Sequence, residues 1–140
     1  MRDMLVHAYW RASGPRGADE LPVWRYVRGW GRPGDTGLIA LEGPNPVGAA
    51  WYRLFTADEP GFGFVDEQTP ELTIAVVPSR RARGHGGELL RGLLERARRA
   101  GYRAVSLSVE AQSPAVALYE RHGFERVEER DGSLVMRATL

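Results

Sequence analysis

Residues 71–100 constrain the fold of this chain more than any other stretch. They open with the apolar, β-branched run Glu71-Leu-Thr-Ile-Ala-Val-Val77, which Pro78 ends. Arg80-Arg81-Ala82-Arg83-Gly84-His85-Gly86-Gly87 follows, and then residues 88–100, where Leu89, Leu90, Leu93, Leu94 and Ala97 recur at helical spacing with arginines between them. The pattern predicts a buried strand, a glycine-rich turn and an amphipathic helix that Gly101 stops. A strand entering a helix through glycines leaves backbone N–H groups unpaired at the positive end of the helix dipole. Such a turn suits a phosphate, because glycine lets the backbone approach closely and arginine adds countercharge.

The remaining segments predict a mixed α/β domain. Met4, Leu5, Ala8 and Tyr9 give a first helix over residues 2–12, and Trp24, Val27 and Trp30 a second over 23–30. Strand-like runs at 37–42 and 46–55 are joined by Gly43-Pro44-Asn45, a hairpin connection. A long loop over 56–70 carries Phe62, Phe64, Val65 and the acids Asp58, Glu59, Asp66 and Glu67. After the central helix come a strand at 105–109, a helix at 114–121 and a last hairpin turning at Asp131-Gly132. The order α, α, β, β, β, α, β, α, β, β predicts one central mixed sheet flanked by helices, in a single domain over residues 1–140.

Composition narrows the chemistry. With no cysteine in 140 residues there is no disulfide framework and no thiol nucleophile. His7, His85 and His122 lack the i, i+4 spacing of a helical zinc pair, so no metal site is expected. A net charge of +1 argues against nucleic acid or membrane as the main partner. The charge is uneven: residues 1–79 hold 7 Arg against 10 acids, and residues 80–140 hold 12 Arg against 8. The second half suits a polyanion and the first a cationic ligand. No signal peptide or spanning segment is visible, and a cytoplasmic protein is expected.

Among phosphate-binding motifs, a Walker A loop needs lysine, which the chain lacks, and a dinucleotide fingerprint needs a third glycine where Leu89 stands. Arg81-x-x-Gly84-x-Gly86 fits a third pattern. It resembles the Arg/Gln-x-x-Gly-x-Gly/Ala signature of the GNAT superfamily of N-acyltransferases. The similarity extends to the strand at 72–78, the leucine-rich helix, Val105-Ser-Leu-Ser-Val109 and Ala117-Leu-Tyr119-Glu-Arg-His-Gly-Phe124. Three departures stand out. Ser113 replaces the asparagine of many members, His85 stands where isoleucine or leucine is usual, and the chain starts directly at the family's first helix, so that either the sheet is one strand short or the start has been truncated.

The resemblance implies a GNAT fold and transfer of acetyl from acetyl-CoA to a primary amine by direct attack in a ternary complex. The acceptor is a small molecule by preference, with a peptide amine as second choice; homodimer formation is left open. Ile74, Ala75 and Val76 would then offer backbone groups to the pantetheine arm and acetyl carbonyl. Arg81, Ala82, Arg83, Gly84, His85, Gly86 and Gly87 would wrap the pyrophosphate, with Ser113 as a further cofactor contact. Tyr119 would be the general acid and Glu71 the general base. The alternatives are a core tyrosine, a solvated strand-end acid and, for the whole chain, a CoA- or nucleotide-binding regulatory module without catalysis.

Overall fold

The computed structural model describes residues 34–76 and 84–140. The helices expected at 2–12 and 23–30, together with Arg81, Ala82 and Arg83, lie outside them. Among the described residues, six strands form one sheet: β1 (Thr36–Glu42), β2 (Asn45–Arg53), β3 (Glu71–Val76), β4 (Ala104–Glu110), β5 (Phe124–Arg130) and β6 (Ser133–Thr139). Helix α1 (His85–Arg99) joins β3 to β4, and α2 (Ala115–Arg121) joins β4 to β5. The spatial order is β1-β2-β3-β4-β6-β5, antiparallel throughout except between β3 and β4. This is the mixed, helix-flanked sheet expected from the element order.

Local chemistry explains the boundaries. Glu42 and Asn45 pair across a two-residue Gly43–Pro44 connection, with Gly43 at φ 60°. The last hairpin turns at Asp131 (φ 51°) and Gly132 (φ 81°), the left-handed pair a type I′ turn requires. Helix α1 closes in a Schellman arrangement: Tyr102 N–H bonds Ala97 C=O and Gly101 N–H bonds Arg98 C=O, 3.1 and 3.0 Å. Its start corrects the expectation. The helix begins at His85, not residue 88, because Gly84 takes the cap position at φ 85° and its carbonyl already accepts from Glu88 N–H. The low helix propensity of glycine hides a first turn that the cap geometry permits.

Strand alternation divides the sheet into two faces. Ala50, Tyr52, Leu72, Val105, Leu107, Met136 and Ala138 pack with Leu89, Leu90, Leu93, Leu94 and Ala97 of α1 and Val116 of α2. The alternate residues Trp51, Arg53, Glu71 and Ser106 point to the opposite face and are buried there too. Among the described residues, no helix is long and apolar enough to cross a membrane.

Candidate active site

Strands β3 and β4 run parallel, yet among the described residues they share one registered pair, Glu71 with Ser106. One further bond, from Ser106 N–H to Pro70 C=O at 3.0 Å, closes the apex. Beyond it the strands diverge, and residues 72–76 present their backbone edge to the gap without a β4 partner. This places Ile74, Ala75 and Val76 along one wall of a V-shaped opening. Ile74 leans toward the α1 side and Ala75 lies buried on the other.

Helix α1 starts at the open end of the V, as a crossover from β3 to a parallel β4 requires. Gly84 caps it without any side-chain hydrogen bond, so its first-turn N–H groups are not covered by a side-chain cap. Gly84 adopts a left-handed conformation, with none of the described residues within 4 Å of where a Cβ would stand. A Cβ on Gly86 would lie 3.7 Å from Leu118 Cδ2, and one on Gly87 3.8 Å from Leu118 Cδ1. Helix α2 therefore sits beside the first turn of α1, which brings Tyr119, the next residue, to the same end of the sheet. These features fit a CoA-type ligand: among the described residues, first-turn N–H groups without a side-chain cap stand at the same end of the sheet as a strand edge without a β4 partner.

His85 has a partner that no local pattern announces. Its Nε2 lies 2.7 Å from Glu42 Oε2, which ties the start of α1 to the end of β1. Ser113 Oγ accepts from Ala115 N–H at 3.1 Å and opens α2, so its hydroxyl has a structural task. His122 Nδ1 lies 2.9 Å from Leu118 C=O and fastens the end of the same helix.

Tyr119 packs against the core, edge-on to Phe124 with ring centroids 5.7 Å apart. Burial pushes its hydroxyl up to about 12. It therefore stays neutral at physiological pH, and it makes no hydrogen bond among the described residues.

Glu71 is 3% exposed, which rules out a solvated strand-end acid. It sits at the apex of the V, on the face away from α1. Its β2 neighbour in register is Arg53, whose Nε and Nη2 donate to Asp35 Oδ1 and Oδ2 at 2.9 and 2.6 Å. Both partners of this ion pair are almost fully buried. Sequence reading missed the pair, although an arginine within the apolar run 46–55 signals a buried charge in need of a partner. Asp66 and Glu67 have local tasks: Asp66 Oδ1 accepts from Gln68 N–H and Glu67 Oε2 from Ala57 N–H, 2.9 and 2.8 Å.

A splayed parallel pair with a glycine-rich helix start at its mouth is the arrangement of acyl-CoA-dependent transferases, and residues 3–124 match the acetyltransferase (GNAT) family model. The chain belongs to that family. It is 29% identical over 94 residues, 67% of this chain, to the uncharacterized N-acetyltransferase YjcF of Bacillus subtilis (strain 168). The match spans 59% of the length of YjcF. Among solved structures, a ribosomal-protein-alanine N-acetyltransferase from Brucella melitensis superposes with a TM-score of 0.65 at 30% identity, covering 78% of this chain and 71% of the other. YncA from Salmonella typhimurium, solved with its cofactor acetyl-CoA, gives 0.62 at 25% identity, covering 76% and 65%.

Proposed function

We propose that residues 1–140 form one N-acetyltransferase domain, which moves acetyl from acetyl-CoA to a primary amine by direct attack in a ternary complex. The observation that carries this reading is the splay of β3 from β4 at the end where α1 begins without a side-chain cap. Acetyl-CoA supplies the activated thioester. The first turn of α1, with Arg81, Ala82 and Arg83, holds the pyrophosphate, and Ile74, Ala75 and Val76 bind the pantetheine arm through their backbone groups. An N–H at the β3 edge that meets the acetyl oxygen also stabilises negative charge as it builds.

The two proton-transfer groups lie on opposite faces of the sheet. Tyr119, on the α1 side, donates its proton to the departing sulfur, and burial keeps that proton in place until charge develops on the acceptor atom. Glu71, at the apex on the other face, takes the proton of the incoming ammonium. With no cysteine in the chain, no thiol can carry an acyl group between the two substrates.

A small-molecule amine is the first choice of acceptor, and the Brucella relative makes a protein N-terminus the second. The test is release of free thiol from acetyl-CoA across a panel of small amines and N-terminal peptides. Turnover on at least one is expected. Tight CoA binding with no turnover on any of them would leave a regulatory binding module instead.

A further inference from the structure

Among the described residues, β1 and β5 end the sheet, and they are built in opposite ways. A sheet edge offers outward N–H and C=O groups to any strand that meets it, and charges, prolines and bulges keep such strands off. β5 carries that protection. Five of its seven residues, Glu125, Arg126, Glu128, Glu129 and Arg130, are charged, and Val127 bulges out of register with β6. β1 has none of it. Its seven residues, Thr36-Gly-Leu-Ile-Ala-Leu-Glu42, hold one charge, at the last position, and no proline. The irregularity in its pairing puts the extra residue, Val47, on β2, so β1 itself runs without a bulge.

One face of β1 is also bare. Leu38 and Ala40 turn to the core beneath α1, whereas Ile39 and Leu41 on the alternate face are 60% and 59% exposed. On β2, the register partners on that same face, Ala49 opposite Ile39 and Trp51 opposite Gly37, are buried. The cover over this face therefore stops at β2. It leaves two large apolar side chains together on a regular edge strand.

We propose that β1 pairs antiparallel with β1 of a second copy, about a two-fold axis at Ile39, and so joins two molecules into one continuous sheet. The strand is complementary to itself. With Ile39 on the axis, the two copies of Ile39 meet, Leu38 faces Ala40, Leu41 lies beside Gly37 and Glu42 faces Thr36. No like charges oppose one another across the seam, and each leucine finds room over a glycine. The register also keeps the core-facing and exposed residues of both copies on their own faces. A two-fold pairing closes after one addition, and the charged, bulged β5 edge stops growth at the far end. One strand pair is a small interface, so the dimer is concentration-dependent, with a Kd on the order of 1–100 μM. β2 separates the seam from β3 and the cleft, and the seam uses none of the residues proposed for acetyl transfer.

The test is sedimentation velocity on the full chain over a dilution series. The parent should pass reversibly between monomer and dimer. Ile39→Lys should raise the Kd at least about tenfold, because two ammonium groups then oppose each other on the axis. Ile39→Glu should do the same with two carboxylates. An equimolar mixture of these two variants should restore the dimer, as expected only of a residue that faces its own copy. Leu41→Lys, a second exposed position, should also weaken it, and Val127→Lys on the other edge should leave it intact. Melting temperatures taken at dilutions where the parent is monomeric should match the parent's, which shows that the variants fold. A parent that stays monomeric to about 1 mM overturns the proposal. So does a dimer that survives Ile39→Lys and Leu41→Lys, one lost in Val127→Lys, or a mixture that stays monomeric.

Discussion

Tyr119 shows how one residue acquires a role from its surroundings. A phenol in water titrates near 10, and burial moves this one to about 12. The folded state holds the neutral form, so its stabilising effect is complete below about pH 10 and is lost as pH rises through 12. Between those values the protein should lose about 1.4 kcal/mol of stability per pH unit on account of this group. Tyr102, also raised by burial and then by the nearby Tyr52 and Asp35, titrates alkaline as well. The Tyr119→Phe variant separates the two, and its stability against pH should be flatter than the parent's in alkaline denaturation. The same substitution tests catalysis: kcat should fall roughly 10–10³-fold while CoA affinity holds, by single-turnover kinetics and calorimetry. Unchanged kcat would make Tyr119 a core residue and leave water as the proton source. The tyrosine was legible through its motif block. Its raised pKa was not, since that depends on burial beside Phe124 and the sheet.

Among the elements, the loop before β3 is more firmly held than its composition suggests. A Cβ placed on Gly63 would meet the backbone of β4, 2.5 Å from Leu107 C and 2.7 Å from Ser108 N. Only a residue without a side chain allows the loop to lie that close, at the strand that forms one arm of the V. Gly63→Ala must therefore push the loop or β4 aside, at a cost of about 1–3 kcal/mol, with the amides of β4 losing protection in hydrogen exchange. Wild-type stability and protection in that variant would mean that the loop moves off β4 freely. The sequence marks residues 56–70 as a long loop, but nothing local says where it docks. Helix α1 is the opposite case. Its leucines declare the buried face from their spacing alone, and all five expected inward residues are buried.

At the scale of the whole molecule, the proposed site joins three elements distant along the chain, so ligand binding should stabilise the fold as a unit. Acetyl-CoA at 100 times its Kd should add about 2.7 kcal/mol to the apparent stability, read as a rise in melting temperature, while NAD and ATP add little. Gly86→Asp should abolish that rise. The space beside Gly86 admits a Cβ at ordinary contact distance from Leu118, so the variant folds. Its carboxylate then stands where the anion would bind and costs about 3 kcal/mol in affinity. A rise as large as the parent's in the Gly86→Asp variant would place the anion elsewhere.

Short-range physics made much of the molecule readable from the sequence. The α1 face, the β3 run and the Asp131-Gly132 turn all follow from residues within a few positions of one another. Each rests on periodicity or dihedral preference. The splay of β3 from β4 has no local signal, because strand pairing is settled between segments about thirty residues apart. Tertiary structure alone decided what lies at the apex. Arg53 finds Asp35 18 residues away, and His85 finds Glu42 at a separation of 43. The sequence alone leaves a solvated strand-end acid open as the alternative for Glu71, and the fold buries it between Arg53 and Ser106. Burial and charge pairing sum contributions from the whole chain, and no window of sequence contains that sum.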